Sequence, residues 1–310
     1  MRIYILSRNE NLYSTKRLEE EAIKKGWEVR VIDYLKCTIE IMKGELLINY
    51  EGKVLPVPDA IIPRIGASRT FYGTAMVRHF EMMDVFSTSG NLAIARSRDK
   101  LRSLQVLSRN DVDMPKTVFA SNQSNAKDVI ALSGGTPLIL KILEGTQGVG
   151  VVLVDSKKAA KSVLDAFYGM DVNLLVQEYI EEAGGSDIRV FVVDGEVVAA
   201  MKRQGAEGDF RSNLHQGGNA TIYKLNRKEK VTAIAAAKAM GLGVCGVDMI
   251  ISKRGPLVME VNSSPGLEGI EKSTNINVAA KIMDYIEKNI KPSDSTSTVK
   301  RKIKKDTIGA

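Results

Sequence analysis

PLILKILEGTQGVGVVLV, residues 137–154, decides the fold class. PLILK at 137–141 reads as a buried strand ending on Lys141, and VVLV at 151–154 reads as a second strand. Between them lies the glycine-rich loop EGTQGVG, 144–150. A strand–loop–strand unit is a flap over something, not the entry to a helix. The loop lacks the GK[ST] of a P-loop and is not a G-x-G-x-x-G ahead of a helix, which disfavours dinucleotide binding. Its glycines let backbone amides approach closely, and amides with an ammonium make a phosphate cradle. Taken alone, the loop fits an ordinary glycine-bearing hairpin equally well.

Outward toward the N-terminus, the chain alternates strands and helices. RIYILS (2–7), EVRVID (28–33) and the AIIPRIG run after Pro58 and Asp59 are strand-like. Ser14 is placed to cap a helix through about Lys25, with Gly26 ending it. Residues 73–83 have helical spacing, and the rhythm predicts a small parallel sheet. A charged helix is expected from Ala95 through DKLRSLQVLSRN, stopping before Asp113–Pro115. Outward toward the C-terminus, LLVQEYI (174–180) is a strand. DIRVFVVDGEVVAAMKR (187–203) is a hairpin turning at Asp194–Gly195. A long glycine-bearing loop follows at 206–220, of a kind that is more often functional than idle. Asn226 with Glu229 opens an Ala-rich helix to Met240. A last helix carries Ala279, Ile282, Met283, Ile286 and Ile290 on one face.

VCGVDMII and PLVMEVNSS form another hairpin around SKRG. Glu260 and Asn262, two apart on one strand, share a face. A turn at 253–255 puts Asp248 opposite Glu260, within one residue. Two carboxylates that close repel unless a cation intervenes, and oxygen-only ligands suit magnesium or manganese. Surface acids on a hairpin are the alternative, but these acids interrupt strongly apolar strands, where a lone charge is costly. In VQEYI, Glu178 and Tyr179 are either edge decoration or a strand end offered to an adenine. Arg189, Lys202, Arg203 and Arg211 are either solvated cations or holders of phosphate and carboxylate oxygens. His79 sits in a helix and reads as structural; His215 lies in the long loop. No Ser–His–Asp or Cys–His nucleophile is assembled, so catalysis by metal and electrostatics is expected.

Composition bounds the class. The 310 residues amount to about two domains' worth. Hydrophobic residues make up 44% and charged residues 26%, as in ordinary globular proteins. With only 7 Phe, 9 Tyr and 1 Trp, a stacking platform for single-stranded nucleic acid is disfavoured. No apolar run approaches a membrane span and no secretory pattern opens the chain. Cys37 and Cys245 form no metal-spaced pair and no disulfide scaffold, which fits a cytoplasmic location. Of the net charge of +7, four units sit in the Ser/Thr-rich tail 291–310, which reads as a disordered basic tail.

Several motifs in order carry a resemblance. K-x2-EGTQGVGV, VQEYI, D-x-R, GDFRSN and D-x11-E-x-N-x2-PG resemble the ATP-grasp ligases. SRNENLYSTKRL, PRIGASRTFYG, ARSRDKLRS, GDFRSNLHQGG and LVMEVNSSPGLEGIEK resemble more closely the RimK-type α-L-glutamate ligases. The likeness spans about residues 1–290. It implies mixed α/β and α+β architecture: an ATP-grasp fold with an N-terminal Rossmann-like (pre-ATP-grasp) domain. The implied units are 1–95 (N-terminal), 96–175 (central lid), 176–290 (C-terminal, with the metal site) and the tail 291–310. Also implied are ATP, two Mg2+ or Mn2+ ions, and attachment of L-glutamate to an acceptor carboxylate. That acceptor is a small-subunit ribosomal protein C-terminus or a growing glutamate chain. A homo-oligomer, a tetramer, is implied as well.

Carried over by position, Lys141 and Lys100 contact ATP phosphates. Glu178 and Tyr179 flank the adenine, and Asp187 takes the ribose hydroxyls. Arg211, Ser212 and Asn213 close on the nucleotide. Asp248, Glu260 and Asn262 hold the metals. Arg203 contacts an acyl phosphate, and Arg64 is the expected acceptor contact. Arg203→Ala, like Lys141→Ala and Glu260→Ala, is expected to abolish ligation with the fold intact. Two rivals remain: a carboxylate–amine ligase with a small-molecule or carrier-protein acceptor, and a non-catalytic RNA- or ribosome-binding protein.

Overall fold

The structure is a computed structural model that describes residues 1–121, 124–143, 150–170, 172–206, 210 and 219–290. Its first unit is a four-stranded parallel sheet in the order β2-β1-β6-β7, from β1 (Arg2–Leu6), β2 (Glu28–Ile32), β6 (Ala60–Pro63) and β7 (Phe86–Ser87). The expected βαβ rhythm is therefore present. Helix α1 (Tyr13–Lys24) joins β1 to β2, and α2 (Thr70–Met82) joins β6 to β7. Ser14 does not cap α1. The N-cap is Leu12, and the Ser14 hydroxyl instead accepts a hydrogen bond from the Leu267 N–H at 2.9 Å. A local capping residue has been taken over by a contact 253 positions away.

A second feature absent from the sequence reading is an antiparallel meander, β3 (Cys37–Met42), β4 (Glu45–Tyr50) and β5 (Lys53–Val54), inserted between β2 and β6. It covers one face of the parallel sheet, where Tyr4, Tyr34, Ile48, Ile61 and Phe80 form a core. The charged helix expected from Ala95 is two helices, α3 (Asn91–Arg98) and α4 (Lys100–Arg109). They break at Asp99, whose extended backbone (φ −89°, ψ 103°) lets its carboxylate accept from the Arg102 N–H. Asp is a strong N-cap, so it starts a new helix where periodicity alone suggests continuation.

The second sheet, in the order β10-β9-β11-β8, is antiparallel: β8 (Thr117–Ala120), β9 (Leu138–Ile142), β10 (Val151–Val154) and β11 (Leu174–Glu178). Helices α5 (Ala126–Leu132) and α6 (Lys157–Gly169) pack beside it over Leu138, Leu140, Leu164 and Val176. The β9–β10 unit is the expected strand–loop–strand flap, with Val151 paired to Lys141. At its far end the Ile142 N–H donates to the Gly150 carbonyl. Gly150 is left-handed (φ +75°), and a Cβ there would run into the Ile142 side chain.

The third sheet, in the order β14-β13-β12-β15-β16, has five antiparallel strands: β12 (Ser186–Val193), β13 (Glu196–Gln204), β14 (Asn219–Ile222), β15 (Val244–Ser252) and β16 (Gly255–Asn262). Both hairpins form as expected. Asp194 and Gly195 have positive φ (53° and 74°), as a tight hairpin turn requires. Helix α7 (Arg227–Met240) opens on a full capping box between Asn226 and Glu229 and packs Ala233, Ala236, Ala237 and Met240 on one face. Helices α8 (Glu268–Thr274) and α9 (Val278–Asn289) complete the described residues. Ala279, Ile282, Met283 and Ile286 of α9 are buried, and Phe191 and Met201 share their core with Ile3 and Ile5 of the first unit. That shared core ties the parallel sheet to the five-stranded one.

Candidate active site

Strand register builds the centre. Asp248 on β15 pairs with Glu260 on β16 on one side and with Arg189 on β12 on the other. On β12 and β13, Asp187 pairs with Arg203. A bulge between Asp248 and Met249 shifts the β15–β16 register by one, so the pairing expected within one residue falls on Asp248 and Glu260 themselves. Gly246 pairs with Asn262, bringing that amide alongside.

Asp248 is buried and meets two arginines. Arg189 donates Nε and Nη2 to its two oxygens at 2.7 and 2.5 Å. Arg203 Nη2 lies 3.0 Å from Asp248 Oδ2. Arg203 also holds Asp187 with Nε at 2.7 Å and with Nη2. Burial alone pushes Asp248 up, but the Arg189 and Arg203 charges beside it hold its carboxyl well below the usual range. Asp187 is thus engaged by a guanidinium, and Arg203 is a buried bridge between two acids. Among the described residues the bonds of both arginines use Nε and Nη2, so that each Nη1 could reach a further oxygen.

Glu260 is exposed, whereas Asp248 is not. The Asn262 amide nitrogen reaches Glu260 Oε1 at 2.9 Å and Asp248 Oδ2 at 3.4 Å. An amide's nitrogen and oxygen ends interchange by a flip. Turned over, Asn262 would present its oxygen to the same point as the two carboxylates. That donor set of hard oxygens fits a divalent cation, with Glu260 its least committed member. Among the described residues no group of three or more His, Cys, Asp or Glu side chains is placed to hold a metal ion, so this set rests on two carboxylates and an amide.

Two lysines approach the acids from the antiparallel second sheet and α4. Lys141 donates to Gln177 Oε1 at 2.7 Å, and Lys100 donates to the Ile142 and Leu143 carbonyls at 3.0 and 3.2 Å. Burial pushes both ammonium groups down, and the Glu260 charge acts on both in the opposite sense. Lys141 also feels the charge of Lys100. The expected pair of phosphate lysines thus sits at the base of the flap, within electrostatic range of Glu260. Residues 144–149 of the glycine loop lie outside the described residues, as do Arg211, Ser212, Asn213 and His215.

Glu178 ends β11 with its side chain spent on structure. It accepts from the Lys116 N–H at 2.7 Å and pairs with Arg254 in the β15–β16 turn. Those hydrogen bonds hold its carboxyl below the usual range, against the effect of burial. Tyr179, half-buried, follows at the strand end. Lys202 alternates away from Arg203 and is exposed, so it does not join the centre. His79 is buried in α2, where burial pushes it down, and its Nε2 has no hydrogen-bond partner among the described residues. That matches its structural reading. Sequence reasoning did not find Gln177, Arg254 or the Asp187–Arg203 pair. The Asp194–Gly195 turn alone would set Asp187 opposite Lys202; a bulge between Phe191 and Val192 shifts the register by one and brings Arg203 there instead.

Residues 1–94 match the RimK pre-ATP-grasp domain and residues 97–286 match the RimK-like ATP-grasp domain. A protein of Saccharophagus degradans named a probable alpha-L-glutamate ligase is 60% identical over 295 residues, covering 95% of this chain and 98% of its own. Among solved structures, the ATP-grasp ligase PsnB complexed with minimal precursor, Mg and ADP superposes with a TM-score of 0.72 at 18% identity, over 94% of this chain and 97% of that one. The Bacillus anthracis D-alanine–D-alanine ligase complexed with ATP does so with 0.64 at 21%, over 93% and 96%. At such identities these two likenesses speak for the fold.

Proposed function

The chain belongs to the RimK-like ATP-grasp family of ligases, and from that premise we propose that it joins the amine of L-glutamate to a terminal carboxylate through an acyl phosphate. The observation that carries this reading is the convergence of Lys100 and Lys141 from the flap side with Asp248, Glu260 and Asn262 from the hairpin. Cations and hard oxygen donors facing one another suit a nucleoside triphosphate and its metal.

In the reaction, an oxygen of the acceptor carboxylate bonds to the γ-phosphorus of ATP, and the bond from that phosphorus to the β–γ bridging oxygen breaks, releasing ADP. The carboxylate, whose leaving group would be oxide, becomes an acyl phosphate with phosphate to leave. The neutral amine of glutamate then forms the C–N bond, the C–O bond to phosphate breaks, and the amine gives up one proton. Lys100 and Lys141 balance charge on the phosphates. Arg189 and Arg203 hold Asp248 ionised and offer Nη1 donors to the oxyanion of the tetrahedral stage. Asp248, Glu260 and Asn262 would hold Mg2+ or Mn2+, two ions in this reading; bound there, a divalent cation would offset charge on the transferring phosphoryl group. Glu178 keeps the strand end at Tyr179 in place for an adenine, and Asp187 stands at the edge of the centre for the ribose.

The units 1–95, 96–175 and 176–290 then divide the work: acceptor entry, a lid over the nucleotide, and the metal floor. The lid excludes water that would hydrolyse the acyl phosphate. A small-subunit ribosomal protein C-terminus or a glutamate chain is the acceptor class proposed, in a homo-oligomer of four. The test is ADP release with ATP, magnesium and glutamate, followed by product masses. Products spaced by one glutamate residue are expected. ATP binding without turnover on glutamate, whatever acceptor is supplied, would refute the assignment of the amine.

A further inference from the structure

Alternation along the strands gives the second sheet two unlike faces. Leu138, Leu140, Leu174 and Val176 point to one face and form a core with α5 and α6. Lys141, Gln177 and Thr117 point to the other. Gln177 on β11 pairs with Thr117 on β8, and Lys141 on β9 pairs with Leu175, two positions before Gln177. The three polar residues therefore form a diagonal row across β8, β11 and β9, at a spacing that long side chains can bridge.

Gln177 is 4% exposed and follows the buried apolar run Leu174–Val176. A buried amide is costly unless both of its ends are met, and here both are. The row also fixes which end faces which partner. The Thr117 hydroxyl donates to the Pro115 carbonyl at 2.9 Å, so its proton is committed and toward Gln177 it accepts. Gln177 Nε2 donates to that oxygen at 2.8 Å, which turns Oε1 to Lys141, and the Lys141 ammonium donates to Oε1 at 2.7 Å. Turned over, the amide would set its own N–H against an ammonium that only donates. The far end of the row is anchored as well. Between Pro115 and Thr117, Lys116 gives its N–H to the Glu178 carboxylate, and its carbonyl accepts from the Glu178 N–H at 3.0 Å.

An ammonium has three N–H groups, and among the described residues Lys141 uses one of them, on Gln177. That acceptor is neutral, so it holds the nitrogen without cancelling its charge. The charges that act on Lys141 are those of Glu260 and Lys100. Lysine carries its charge on a flexible four-carbon stem, and a stem fixed before the ligand arrives loses less freedom on binding. Resting on the ATP-dependent ligase reading, we propose that Gln177 is a positioning residue: oriented by Thr117, it aims the Lys141 ammonium at the nucleotide's phosphates with its charge intact and two N–H groups to give.

The experiment compares the full-length wild type with Gln177→Met, Gln177→Glu, Thr117→Val, Lys141→Met and the Gln177→Met/Lys141→Met double variant. The probes are a fluorescent non-hydrolysable ATP analogue with magnesium and a fluorescent adenosine, read by anisotropy beside the melting temperature. Gln177→Met is expected to weaken the ATP analogue about 10-fold to 100-fold, as loss of a hydrogen bond to a charged group does, and to leave adenosine unchanged. Thr117→Val should act in the same direction by a smaller factor, because the amide is then free to turn over; it also carries the test if Gln177→Met does not fold. Gln177→Glu keeps an acceptor for the ammonium but cancels its charge, and should weaken the ATP analogue too. Added to Lys141→Met, Gln177→Met should cost nothing further, since it acts through that lysine. Unchanged binding of the ATP analogue in Gln177→Met, an equal loss for adenosine, or a full further loss on top of Lys141→Met would each overturn the proposal. Gln177-dependent binding of the ATP analogue in a wild type that releases no ADP with glutamate would leave the positioning role standing and refute the ligase reading.

Discussion

At the scale of single residues, the centre is governed by who compensates whose charge. Asp248 owes its ionised state to Arg189 and Arg203, so Glu260 is the acid left to answer a cation. Glu260→Gln should raise the magnesium concentration needed for half-maximal turnover by about 10-fold or more, as loss of a charged ligand or its close support does, with the melting temperature unmoved. A magnesium titration of ADP release checks it. Lys141→Ala should cost turnover while sparing the fold, because its partner Gln177 can still bond to Thr117 at 2.8 Å. For Arg203→Ala the structure adds a stability cost to the expected loss of ligation. It takes the guanidinium away from the buried Asp187 while Asp248 keeps Arg189, and breaking a buried pair costs about 3–5 kcal/mol. Chemical denaturation should show that loss alongside the loss of ligation, and Arg203→Lys should recover more stability than activity.

At the scale of elements, caps and turns place the lysines and arginines. Asp99 starts α4 and so sets where Lys100 points. Asp99→Ala should cost about 1 kcal/mol as a lost N-cap and raise KM for ATP, read by thermal melting and steady-state kinetics. Gly73 in α2 lies against the fully buried Ile65, and an added Cβ would overlap that side chain. Gly73→Ala should therefore lower stability by about 1–3 kcal/mol, typical of overpacking, and disturb the Arg64 loop with it. The Asn226–Glu229 capping box and both hairpins were legible because every determinant lies within a few residues. The break at Asp99 was legible in principle, since Asp before a helical run is a start signal. Ser14 was misleading, because its hydroxyl is committed to a residue that no local pattern reveals.

At the scale of the whole molecule, the acid limb of stability follows from the arginine-held acids. Asp248 has a folded pKa below its unfolded value near 3.9. Its contribution is complete above about pH 4 and is lost as pH falls from there toward the folded value. Melting temperatures measured from pH 7 to pH 3 should stay level with respect to this group and fall below about 4, and Asp248→Asn should flatten that fall. Gly243 marks the seam between units: a Cβ there would meet the Thr88 carbonyl and the Tyr285 hydroxyl. No helix among the described residues is long and apolar enough to cross a membrane. The tail 291–310 lies outside the described residues, and its deletion should leave ATP turnover intact. If RNA binding through that tail were the function, activity would vanish with it and fall steeply with salt.

By itself, the sequence determined whatever is spaced along one strand or across one tight turn. A tight turn sets the register of a hairpin to within about one residue, so Asp248, Glu260 and Asn262 could be brought near one another on paper, the bulge beside Asp248 settling the pairing, and the glycine flap could be told from a helix entry. Only the tertiary structure decided which charges meet between elements. That Arg203 bridges Asp187 and Asp248 depends on β12 lying between β13 and β15 and on a bulge in its hairpin, and that Lys100 and Lys141 come within electrostatic range of Glu260 depends on how the sheets pack. Register is a local property of the chain, whereas packing depends on buried faces whose partners lie a hundred or more residues away.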